Sequence, residues 1–153
     1  MRIETKQFGE ITIDEDKIIK MPKGLPGFPG LTRYILLEHE DIHPFISLQS
    51  VDEETLAFYL IDPYLFKSDY SVDCESYIED LKWEKNDRDS IFIYVILNVA
   101  DEDPKKITAN LLGPLLINTA KNQAVQMLIS DGNYSHKYFV FADNKKNKGV
   151  DSK

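Results

Sequence analysis

Apolar and polar residues alternate with a period of two along most of this chain, and the period lengthens to that of a helix only once. Residues 2–6 alternate and predict a first strand. Gln7, Phe8 and Gly9 supply a turn, and residues 10–13 alternate again, which predicts a hairpin. Asp14, Glu15 and Asp16 make a polar turn before a short third strand over 17–21.

Residues 22–30 hold three prolines and three glycines, which excludes helix and regular strand. Leu25 and Phe28 are expected to turn inward and pin this loop. Its glycines do not follow a strand-then-helix pattern with phosphate-loop spacing, so no nucleotide site is implied. Residues 33–38 predict a strand. Residues 44–50 put Phe45, Ser47 and Gln49 on one face and Ile46, Leu48 and Ser50 on the other. An acidic turn at 51–55 leads into a strand over 56–61 that stops at Asp62-Pro63, so these two strands predict a second hairpin.

The helical exception runs over about 74–83. Cys74, Tyr77, Ile78 and Leu81 recur at i, i+3, i+4 and i+7. Asp73 stands at the N-cap position, Glu75 lies in the first turn, and Lys82 and Lys85 lie near the end, all favourable to the helix dipole. Residues 91–99 are nearly all apolar and predict a strand covered on both faces. After a loop at 101–104, Pro114 argues against a continuous helix over 106–116. Strands are expected at 115–118, 124–129 and 134–141, with a turn at 131–133. About ten short strands with one short helix give a mostly β class, a small β-barrel-like or sandwich domain over 1–141. Residues 142–153 are rich in Lys and Asn and are expected to form a disordered tail.

Composition permits an ordinary core, at 42% hydrophobic and 29% charged over 153 residues. Seventeen aromatic residues favour strands. There is no apolar run long enough to span a bilayer and no secretory pattern at the start. The single cysteine excludes an internal disulfide framework, and together these features point to the cytoplasm. The net charge of −8 is uneven: residues 34–81 hold twelve acids against one base, Lys67, so that segment carries about −11 and the rest about +3. Such a field disfavours direct nucleic-acid binding and favours encounter with a basic protein. Charge alone leaves open a solvated face that only aids solubility.

Catalytic chemistry is missing. There is no nucleophile elbow, and Cys74 on the apolar helix face reads as an inert thiol. His39 and His43, near Glu38, Glu40 and Asp41, sit in a loop ending at Pro44, where solvated histidines are more usual than metal ligands. No enzyme activity, metal or cofactor is therefore expected.

One family resembles this chain across residues 1 to about 140. The matching segments are Gly24-Leu-Pro-Gly-Phe-Pro-Gly30, Pro44-Phe-Ile-Ser-Leu-Gln-Ser50, Leu56-Ala-Phe58, Asp62-Pro63, residues 91–99, Thr108-Ala-Asn110 and Gly113-Pro-Leu-Leu-Ile-Asn-Thr119. In order and spacing they resemble the flagellar assembly factor FliW. The resemblance implies a cytoplasmic, non-enzymatic protein of β-barrel-like fold that binds flagellin and the RNA-binding translational repressor CsrA. Free FliW holds CsrA away from flagellin messenger RNA, acting allosterically. Accumulating flagellin captures FliW and releases CsrA to repress. A flagellin-only chaperone and a small-molecule-binding barrel are the alternatives.

Candidate partner-binding residues are Gln49, Ser50, Asp52, Glu53, Glu54, Asp62, Pro63, Tyr64 and Asn110. Asn118 reads as structural, Asn110 stays open between structure and contact, and Phe45 reads as core. The free protein is expected to be a monomer.

Overall fold

The computed structural model describes residues 1–99, 103–130 and 132–141. Those residues form strands β1 (Arg2–Thr5), β2 (Gly9–Thr12), β3 (Ile19–Lys20), β4 (Arg33–Leu37), β5 (Ile46–Ser50), β6 (Ala57–Ile61), β7 (Ile91–Asn98), β8 (Thr108–Ala109), β9 (Leu115–Asn118), β10 (Gln123–Gln126) and β11 (Tyr138–Phe139), with one α-helix, α1 (Glu75–Asp80). Seven strands close a barrel in the order β3-β4-β5-β6-β7-β9-β10, and β10 returns to β3 through the ring's parallel pairing.

Strand β7 is the seam. On one side Ile91 to Tyr94 pair with β9, and Leu97 and Asn98 pair with β8, which carries β11. Leu60 and Ile61 of β6 pair with Ile96 and Val95 on its other side. Alternation explains the barrel: Ile19, Tyr34, Leu48, Leu60, Leu115 and Ile117 all point inward and form its core. The β1–β2 hairpin lies outside the ring, packing Ile3 and Ile13 against Ile35 on the outer face of β4. Helix α1 covers another stretch of wall, with Ile78 and Trp83 against Leu116 and Met127.

The mostly β class and the β5–β6 hairpin agree with the alternation. Several local expectations do not. The helix is shorter than 74–83, because Lys82 adopts a left-handed φ of 57° and turns the chain after Leu81. Trp83 then folds back, its backbone N–H on the Ile78 carbonyl at 3.1 Å and its indole on Gln123 at 2.6 Å. Cys74, not Asp73, is the N-cap. Asp73 still accepts the Glu75 N–H at 3.1 Å from one position earlier.

Phe28 does not tuck in. Only Leu25 enters the core, whereas Phe28 is 40% exposed and meets the edge of Phe58. Strand β7 is not covered throughout either, since Phe92 is 46% exposed. The strands expected at 124–129 and 134–141 contract to β10 and β11. The loop at 101–104 is described only from Asp103, and the turn at 131–133 only at Gly132 and Asn133. The tail at 142–153 lies outside the described residues.

Candidate partner interface

The acidic turn between β5 and β6 is built from the inside by two polar side chains. Ser50 Oγ accepts the N–H groups of Asp52 and Glu53 at 3.2 and 3.1 Å. Gln49 Nε2 lies 3.1 to 3.3 Å from the carbonyls of Ser50, Glu53, Glu54 and Leu56. All four neighbours are acceptors, so the nitrogen must face them, its two protons shared among the four. Both Gln49 and Ser50 are buried. They shape the turn; the surface is presented by Glu53 and Glu54.

Asp52 is committed locally. The Arg33 guanidinium grips its carboxylate at both oxygens, with Nε to Oδ2 at 3.1 Å. That hydrogen bond holds the Asp52 carboxyl below its ordinary value. Glu53 Oε1 takes only the Thr55 hydroxyl, at 2.8 Å, and no Lys or Arg pairs with Glu53 or Glu54 among the described residues. The acidic field also extends where local charge counting did not place it. Glu4 shares a hydrogen bond with Glu10, and this contact, then desolvation, then the charges of Glu10 and Glu54, pushes the Glu4 carboxyl up. The backbone N–H of Lys6 on the Glu54 carbonyl at 3.1 Å ties the first hairpin to this turn.

The other candidates lie elsewhere. Asp62, Pro63 and Tyr64 follow the far end of β6, five residues and about 17 Å along the wall. Asp62 Oδ1 accepts the Tyr64 N–H at 2.9 Å and caps a short 3-10 turn, inside which Pro63 is buried. Tyr64 is 43% exposed beside exposed Leu65. Its ring lies 6.2 Å from that of Tyr70, whose hydroxyl donates to the Leu111 carbonyl at 2.6 Å. Burial pushes the Tyr70 phenol far up. Asn110, next to that carbonyl, accepts the Leu112 N–H at 3.0 Å and lies against Gly113, where an added Cβ would come within 2.8 Å of its amide. Asn118 is fully buried, joining Asp87 to the N–H groups of Ala120 and Lys121.

The candidates thus divide between two ends of β6. Sequence reasoning missed Arg33, Glu4 and Glu10 at the first end and Leu65 and Phe92 near the second. Long-range pairing brings Arg33, Glu4, Glu10 and Phe92 there, whereas Leu65 directly follows Tyr64.

The remaining chemistry is modest. His39 Nδ1 accepts the Asp41 N–H at 3.1 Å, and its ring stacks on Phe8 at 5.7 Å. No group of three or more His, Cys, Asp or Glu stands ready for a metal ion among the described residues. Cys74 is half-buried, and desolvation raises its thiol, the opposite of an activated thiolate. No helix of the described residues is long and apolar enough to cross a membrane.

Comparison with known proteins gives one consistent answer. The family model described as FliW protein matches residues 2–140. The flagellar assembly factor FliW of Natranaerobius thermophilus is 39% identical over 144 residues, 94% of each chain. That of Alkaliphilus metalliredigens is 38% identical over 148 residues, 95% of this chain and 90% of the relative. A crystal structure of the flagellar assembly factor FliW superposes with a TM-score of 0.84 at 35% identity, covering 94% of this chain and 99% of that one.

Proposed function

This chain belongs to the FliW family, and from that premise we propose that it is a flagellar assembly factor acting in the cytoplasm by binding, without catalysis. The observation that carries the proposal is the family match across essentially the whole barrel. Its partners are CsrA and flagellin, taken in alternation. Bound to CsrA, the protein lifts repression of flagellin translation; captured by flagellin, it lets CsrA repress again.

The surface supports this reading on physical grounds. An RNA-binding repressor is basic, and among the described residues no Lys or Arg pairs with Glu53 or Glu54, whose turn lies near Glu4 of the first hairpin. Charge complementarity of this kind steers encounter and discriminates partners. The Tyr64 and Leu65 surface, about 17 Å away, is apolar and suits a different contact.

The deciding experiment titrates flagellin into a preformed complex of this protein with CsrA. Release of CsrA in step with flagellin binding is expected. A stable ternary complex, or flagellin binding with no CsrA complex at the start, would overturn the switch; the second result leaves a flagellin chaperone.

A further inference from the structure

On the outer wall of the barrel, between the tip of the first hairpin and the β5–β6 hairpin, lies a notch of about 310 Å³. Cross-strand pairing builds its floor. Ser47 faces Tyr59 and Gln49 faces Ala57, and these residues share the face opposite inward-pointing Leu48. Lys6 and Gln7 close one side, where the Gln7 amide donates to the Tyr59 hydroxyl at 2.6 Å. The rest of the lining is Phe58, Thr55 and Glu54.

One polar group in this floor is buried without a partner, and a second, the Gln49 amide oxygen, lies beside it. Ser47 is 1% exposed, and its Oγ is buried with no hydrogen-bond partner. A buried hydroxyl without a partner has given up its hydrogen bonds to water without replacement. Gln49 is equally buried, and with its nitrogen turned to the four carbonyls of the acidic turn, its amide oxygen is left for the notch. The floor therefore offers an acceptor and a hydroxyl at the bottom of an otherwise largely apolar recess. At the rim, the Lys6 backbone N–H donates to the Glu54 carbonyl at 3.1 Å, so both residues border the recess. At the floor a cation would exchange its hydration for neutral oxygens only, which compensate it poorly.

We propose that this notch receives one aromatic side chain with a donor at its tip, tyrosine or tryptophan, from a protein partner. The ring fills the space over Ala57, and its O–H or N–H reaches Ser47 Oγ and Gln49 Oε1. Such side chains, with an apolar body and one polar end, are the usual anchors of protein interfaces. The identity of the partner rests on the proposed function; the chemistry of the notch does not.

Two measurements separate these claims. The first follows the side-chain amide signals of Gln49 and the amides of Ser47 and Ala57 by NMR in the full chain, during titration with p-cresol and with toluene. Saturable shifts with p-cresol, and at least tenfold weaker ones with toluene, are expected. No shifts, or equal response to both probes, overturns the site. The second uses Ala57→Phe, a change at an exposed strand position that fills the notch from its own floor. Unchanged thermal melting with at least tenfold weaker binding of CsrA or of flagellin is expected. If both partners bind this variant like the wild type, the notch is not a docking site. If the wild-type chain binds neither partner, the partner assignment fails while the cresol result still decides the notch.

Discussion

At the scale of single residues, the barrel carries polar atoms that its packing does not satisfy. Tyr34 is fully buried in the barrel core, and its hydroxyl has no partner. Burial alone pushes its phenol up, which fits a hydroxyl surrounded by carbon. Tyr34→Phe keeps the ring and removes only the stranded oxygen. It is expected to stabilise the protein by about 1 kcal/mol, read as a higher denaturation midpoint at unchanged slope. Asp52 shows the opposite case, a charge with a dedicated partner. Its folded pKa lies below the ordinary 3.8 because Arg33 binds the ionised form. Its contribution is therefore present above the unfolded value and is lost as pH falls through the lowered folded value. Asp52→Asn should flatten stability against pH below about 4 relative to wild type, with a small amplitude because solvent screens the exposed pair. An identical acid limb in the two proteins would remove Asp52 from that account.

At the scale of elements, the loop before β4 and the turn after β5 are held by different means. Gly24 has φ +60°, and a Cβ there would come within 2.5 Å of the Phe28 carbonyl and 2.8 Å of Pro29 Cα, both backbone. Gly24→Ala should cost at least about 1–2 kcal/mol from the left-handed backbone alone, measured by chemical denaturation. The turn after β5 depends instead on Gln49. Gln49→Ala strips the donor from its carbonyls and is expected to cost about 1–3 kcal/mol. Exchange of the amides at 52–56 should quicken more than that of the barrel strands, and a uniform change would show that Gln49 does not organise the turn locally.

These elements also show what the pattern of residues could reveal. The β5–β6 hairpin was legible because alternation brackets an acidic run. The single helix was legible from Tyr77, Ile78 and Leu81, but its end was not, since a left-handed Lys82 leaves no mark in hydrophobic spacing. Ser47 and Gln49 look like the polar, solvent-facing side of β5. They are buried because the first hairpin, some forty residues earlier in sequence, reaches over that wall and places Gln7 on Tyr59. Phe28 and Phe92 fail in the reverse sense, being apolar where no element among the described residues covers them. Local pattern records which face a side chain takes, and packing between distant segments decides what lies against it.

At the scale of the whole molecule, the acidic middle segment becomes a surface of mixed origin. Asp52, Asp69 and Glu75 are each paired with a base, by Arg33, Lys67 and Arg88. Counting acids along the chain therefore overstates the field at Asp52 and leaves out Glu4 of the first hairpin, whose carboxyl feels the Glu54 charge, whereas Glu10 is paired with Arg2 at 3.5 Å. If this surface meets a basic repressor, the attraction acts mainly before contact, through the association rate. Replacing Glu53 and Glu54 with lysine should slow association with CsrA by at least tenfold at low salt and alter dissociation less. Because the Debye length falls from about 10 Å at 0.1 M salt to 3 Å at 1 M, wild type and variant should converge as salt rises. Flagellin provides the internal control. If it docks on the apolar end near Tyr64 and Leu65, its association should respond weakly to both salt and the double substitution. Stopped-flow measurement with each partner reads this directly. Equal salt sensitivity for the two partners, abolished together by the double substitution, would instead place both on the acidic end and make their alternation a competition for one surface.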